Sequence, residues 1–120
     1  MRRALTLSTL LFMPTAASLA GEADVLKVDV SCSGETCRFS VTVAHSDEGW
    51  DHYADKWEVL DADGTVIATR ELAHPHVDEQ PFTRSLGGVK IPADLDRVTV
   101  RAHDSVHGYG GGTLTVEIPR

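Results

Sequence analysis

Six histidines, His45, His52, His74, His76, His103 and His107, are the residues of this chain whose type and spacing best suit chemistry. Neutral imidazole is the commonest protein ligand for transition metals, and it titrates near neutral pH. In extended backbone, His74-Pro75-His76 turns both rings to one side, about 6.6 Å apart along the chain. His103 and His107 bracket a short turn, and His45 and His52 flank a segment that holds Asp47, Glu48 and Asp51. Asp78, Glu79 and Asp104 lie in the same connections. Such carboxylates ligate an ion directly or hold the second nitrogen of a ligand imidazole. The set suits a divalent transition metal: iron, copper or zinc.

Other chemistry finds little footing. Ser46, Ser85 and Ser105 have no Gly-x-Ser-x-Gly context that would expose a nucleophile. The glycines from Gly108 to Gly112 follow one strand pattern and lead into another, whereas a phosphate-cradling loop opens a helix.

The elements that must position the histidines are strands. Apolar and polar residues alternate over Val25 to Cys32, Cys37 to His45 and Arg97 to His103. Shorter strand patterns cover Trp57 to Leu60, Thr65 to Leu72, Phe82 to Leu86 and Thr113 to Ile118. Asp63-Gly64 is a hairpin signal, and Gly87-Gly88 opens a turn-rich stretch to Asp96. About seven strands with frequent turns predict an all-β chain, an antiparallel β-sandwich of immunoglobulin-like or fibronectin III-like type, with Trp57 in its core.

Consecutive antiparallel strands reverse direction, so connections alternate between the two ends of the sandwich. The turn between Cys32 and Cys37, Asp63-Gly64 and Gly87 to Asp96 then share one end. The connections Ala44 to Ala54, Ala73 to Pro81 and Asp104 to Gly112 share the other, and all six histidines lie in or beside them. His45 continues the inward register of Phe39, Val41 and Val43 and falls at the mouth of the core.

Residues 1–20 read as a cleaved signal peptide. Arg2 and Arg3 precede an apolar run interrupted by Thr and Ser, and Ser18 and Ala20 are small at the positions a signal peptidase reads. Residues 21–120 then form a single domain in the periplasm or outside the cell. The apolar run is shorter than the roughly 20 residues of a membrane-spanning helix, so no membrane insertion is expected. The whole chain carries a net charge of −7, and losing Arg2 and Arg3 makes it two units more acidic. An acidic surface disfavours nucleic acid and favours cations. In an oxidising compartment, Cys32 and Cys37 read as a disulfide across Ser33-Gly34-Glu35-Thr36.

The segment from His45 through His52 to Trp57 resembles that of desulfoferrodoxin-type superoxide reductases, in which two His precede a Trp-containing strand. His103-Asp-Ser-Val-His107-Gly is similar to that family's Cys-x-x-His-Gly motif. The resemblance covers roughly Val41 to Gly108 by short motifs. It implies an immunoglobulin-like sandwich with a mononuclear iron held by loops at one end. His45 and His52 would stand where the family has two equatorial ligands, with their spacing one residue longer, and His107 where it has its last ligand His. The family's axial Cys has no counterpart, and His74 and His76 match no ligand. The sandwich also resembles sulfur-oxidation carrier-partner proteins of related fold, which bind partners and no metal.

Two functions follow as expectations. One is a periplasmic metal-binding protein, for metal handling or redox chemistry, whose ligands are drawn from the six histidines with His45, His52, His103 and His107 foremost. The other is a metal-free periplasmic module that meets a protein partner or small ligand at the same end through Trp50, Tyr53 and Tyr109.

Overall fold

Residue alternation sets the architecture. The structure, a computed structural model, describes residues 21–120, and the expected signal peptide lies outside the described residues. Seven strands run in chain order: β1 Asp24–Ser33, β2 Thr36–Ala44, β3 Ala54–Leu60, β4 Val66–Glu71, β5 Phe82–Lys90, β6 Arg97–Asp104 and β7 Leu114–Glu117. They form a three-stranded sheet, β1-β2-β5, and a four-stranded sheet, β4-β3-β6-β7, with every pairing antiparallel. This is the expected all-β sandwich. Among the described residues no helix is long and apolar enough to cross a membrane.

The inward rows face each other across the core. Cys37, Phe39, Val41 and Val43 of β2 oppose Trp57 and Val59 of β3 and Val98, Val100 and Ala102 of β6, all buried. Each fully buried Val or Phe contributes roughly 1.5–3 kcal/mol relative to an exposed one. On β2 and β6 the residues between them, such as Arg38, Thr99 and Arg101, stay at least partly open to solvent, whereas Glu58 of β3 is buried and paired with Arg101. Cys32 and Cys37 sit directly opposite in the β1–β2 register and are disulfide-bonded, closing the end away from the histidines.

The β1–β2, β2–β5, β3–β4 and β3–β6 registers each slip by one residue, and two of these slips bear on the expected pattern. Ala54 and Trp57 both face inward although they lie three positions apart. The β3–β6 register slips by one residue between Ala54 and Lys56, leaving Asp55 as a bulge. The second case is β5, which runs past the expected stop at Leu86 to Lys90. Gly87-Gly88 is not a turn: Cys37 pairs with Val89 and Phe39 with Leu86, so β5 carries one extra residue there. Gly88 takes φ +68°, open to glycine at little cost, and absorbs that residue without ending the strand.

Candidate metal centre

Two inward rows end in polar residues at the same mouth. The row Phe39, Val41, Val43 of β2 continues one step beyond the strand to His45. The row Val98, Val100, Ala102 of β6 ends on Asp104. His45 is 5% exposed and Asp104 0%. One belongs to each sheet's inward face, so they meet where the sheets part.

Asp104 is held by the turn that follows it. Its Oδ1 accepts from the backbone N–H groups of Val106 (2.6 Å) and His107 (2.7 Å), and paired backbone hydrogen bonds with Gly108 close the turn. This is the local bonding by which Asp shapes turns. It leaves Oδ2 aimed at two imidazoles: His45 Nε2, in close contact, and His52 Nε2 at 2.8 Å. The Gly21 carbonyl oxygen faces the same point, 3.1 Å from His52 Nε2 and 3.3 Å from His45 Nε2.

Each imidazole is gripped from behind by a carboxylate. His45 Nδ1 pairs with Asp47 Oδ1, and His52 Nδ1 lies 2.8 Å from Glu48 Oε1. Asp47 is itself buried and tied down, accepting from the backbone N–H of Ala54 (3.1 Å) and of His76 (2.6 Å). Carboxylates on Nδ1 orient ligand imidazoles and direct Nε2 toward an ion. One ligand atom from each of His45, His52 and Asp104 lies within 4.8 Å of the others. Tetrahedral zinc, with bonds near 2.1 Å, sets its donors about 3.4 Å apart, so the two Nε2 atoms, now in hydrogen-bond contact with Asp104 Oδ2, would move slightly outward from it to admit an ion.

The electrostatics favour a cation. Both ring nitrogens of His45 and of His52 face carboxylate oxygens. A neutral imidazole donates from only one nitrogen, so Nε2 needs a proton or a metal between it and Asp104. Three carboxylates surround two imidazoles, so even the doubly protonated pair leaves negative charge over. The hydrogen bond to Glu48 is the main force raising the His52 pKa to about 9; burial opposes it, and Gly21 and Asp104 assist. Burial alone would raise the Asp104 pKa. The His107 and Val106 N–H groups and the two imidazoles outweigh it and hold that carboxyl at about 2.

The remaining histidines divide. His107 borders the cluster, with Nδ1 3.3 Å from Asp104 Oδ1 and its ring 4.9 Å from that of His52. His103 is not brought in. Its neighbours Ala102 and Asp104 point inward, so strand alternation turns it to the outer face, where Nδ1 lies 2.6 Å from Asp55 Oδ1 and its ring packs edge-on against Tyr109. His74 and His76 also stay apart. The His76 ring stacks on Phe82 at 4.0 Å, both its nitrogens are buried with no hydrogen-bond partner among the described residues, and burial lowers its pKa, with Arg84 adding to the effect. His74 lies beside it at 4.8 Å and donates to the Pro75 carbonyl.

Counting histidines alone underrates Asp104. The signal for it lies in the inward register of β6 and in the motif spacing. Counted from His103 the motif is one residue too long. Counted from Asp104, Asp-Ser-Val-His-Gly has the Cys-x-x-His-Gly spacing with a carboxylate where the thiolate would stand.

Fold and cluster together define an all-β sandwich with a His/Asp site at one end, and the comparisons with known proteins agree with the fold. Solved structures of similar fold include a superoxide reductase (neelaredoxin) from Archaeoglobus fulgidus, with TM-score 0.55 and 11% identity over 89% of this chain and 95% of that one. Another superoxide reductase, in its oxidised state, has TM-score 0.52 and 16% identity over 82% and 90%. A hypothetical protein from Pyrococcus horikoshii OT3 has TM-score 0.55 and 12% identity over 82% and 90%. At these identities the likeness is one of fold. No family model matches the chain. A protein of Halomicrobium mukohataei, named as a candidate lipoprotein, is 43% identical over 97 residues, 80% of this chain and 47% of its own length. The chain thus spans about half the length of that relative.

Proposed function

We propose that this chain is an exported metal-binding protein that holds one divalent transition-metal ion through His45, His52 and Asp104, with His107 as a further donor. The observation that carries the reading is the convergence of two carboxylate-oriented Nε2 atoms on one buried carboxylate oxygen. Two imidazoles and a carboxylate form the donor set of non-haem iron and of many catalytic zinc sites. Iron or copper would give the site redox chemistry, and zinc would not. His45 and His52 supply neutral nitrogens, Asp104 supplies charge, and Asp47 and Glu48 keep both rings aimed. Export is supported by the leader-like residues 1–20 and by the lipoprotein name of the Halomicrobium relative. On this reading residues 21–120 are one periplasmic or secreted domain.

The test is metal analysis of untagged protein purified from the periplasm, followed by titration of the stripped protein with Zn(II), Cu(II) and Fe(II). One ion per chain is expected. His52→Ala should abolish tight binding and His103→Ala should leave it unchanged. Absence of any bound or binding metal would sink the reading. The second reading would then stand: Trp50, 67% exposed and packed against Tyr53 at 5.6 Å, lies with exposed Val77 and Val106 in loops at the same end, a surface suited to a periplasmic protein partner.

A further inference from the structure

Gly21 lies at the candidate site. The Gly21 carbonyl oxygen lies at hydrogen-bond distance from Nε2 of both His45 and His52, the point on which Asp104 Oδ2 also converges. Gly21 takes φ +95°, and a Cβ at this position would fall 2.8 Å from Cε1 of His107. Only glycine brings the backbone this close to the cluster without displacing the ring. Ser18 and Ala20, small at the two positions a signal peptidase reads, put the expected cut at the bond before this residue.

We propose that the amino terminus of Gly21, released by removal of the leader, is a ligand of the metal site. The inference rests on the metal-binding reading above. Water hydrolyses the Ala20–Gly21 peptide bond, leaving a carboxylate on Ala20 and an α-amine on Gly21. Before the cut, amide resonance ties up the nitrogen lone pair, and that nitrogen is no donor to an ion. After the cut, amine nitrogen and carbonyl oxygen, separated by two carbons, close a five-membered chelate on the ion held by His45, His52 and Asp104. Export therefore completes the site: the chain binds its metal tightly only after processing, outside the cytoplasm.

Two chains identical in every side chain provide the test: one starting at a free Gly21, the other at N-acetylated Gly21. Both are titrated with Cu(II) and Zn(II), and their Cu(II) forms are compared by electron paramagnetic resonance. Acetylation is expected to weaken Cu(II) binding at least about tenfold, by removing a donor already tethered at the site, and to remove one nitrogen coupling from the spectrum. Equal affinities and equal spectra would overturn the proposal and leave the side-chain site standing. An exported protein whose intact mass shows a start other than Gly21 would also overturn it. Failure of both chains to bind metal would count instead against the side-chain site, and the proposal would fall with it.

Discussion

Asp104 does two jobs with two oxygens, and substitutions separate them. Asp104→Asn keeps an acceptor for the Val106 and His107 N–H groups and removes the charge facing the imidazoles, so the fold should survive while metal binding is lost in titration. Asp104→Ala leaves both N–H groups and both imidazoles without their partner and should lower unfolding free energy in urea by about 3 kcal/mol. Asp47→Asn, one step back from the ion, should weaken metal affinity by about 10–100-fold. The pKa shifts set the pH profile of the stripped protein. Asp104 is depressed from 3.8 to about 2, so its contribution is present above pH 3.8 and is lost as pH falls through 2. His52 is raised from 6.5 to about 9, so its contribution is complete below pH 6.5 and is lost as pH rises through 9. Thermal melts should therefore show greatest stability between these limits, with an alkaline decline that His52→Asn flattens. These roles were only half legible in the sequence. Residue type picked out the histidines, but the side of the strand on which each lies separated His103 from Asp104.

Strands position the site by ending at the right place. The inward rows of β2 and β6 deliver His45 and Asp104, the β2–β3 loop delivers His52, and the bulge at Asp55 lets Ala54 and Trp57 share the core face. Seven strand patterns and the reversal of direction between them were readable from period-two alternation. The bulges were not, because a single inserted residue leaves the local pattern ambiguous until the partner strand sets the register. The same geometry isolates the disulfide from the site. A Cys32→Ala/Cys37→Ala double variant loses a very short loop closure, about 2 kcal/mol on the chain-entropy scale. Its metal affinity should match that of the parent, because the bond lies at the opposite end of the sandwich. A large drop in affinity would mean that the two ends are coupled through the core.

For the whole molecule, metal and fold should be linked. An ion that binds only the folded chain at about 100 times its Kd adds about 2.7 kcal/mol, which for a domain of this size raises Tm by about 10–20 °C. Calorimetry with and without Zn(II) measures this directly, and Asp104→Asn should show no such rise. The net charge of −7 favours the approach of cations to this end as to the rest of the surface. By itself the sequence determined the strand pattern, the disulfide pairing, the acidity and the gathering of histidine-bearing connections at one end, because alternation and chain reversal are local or topological facts. Only the tertiary structure decided which side chains meet. Facing is a relation between sheets, and it brought His45, His52 and Asp104 to one point with the Gly21 carbonyl, stacked His76 on Phe82 and left His103 outside.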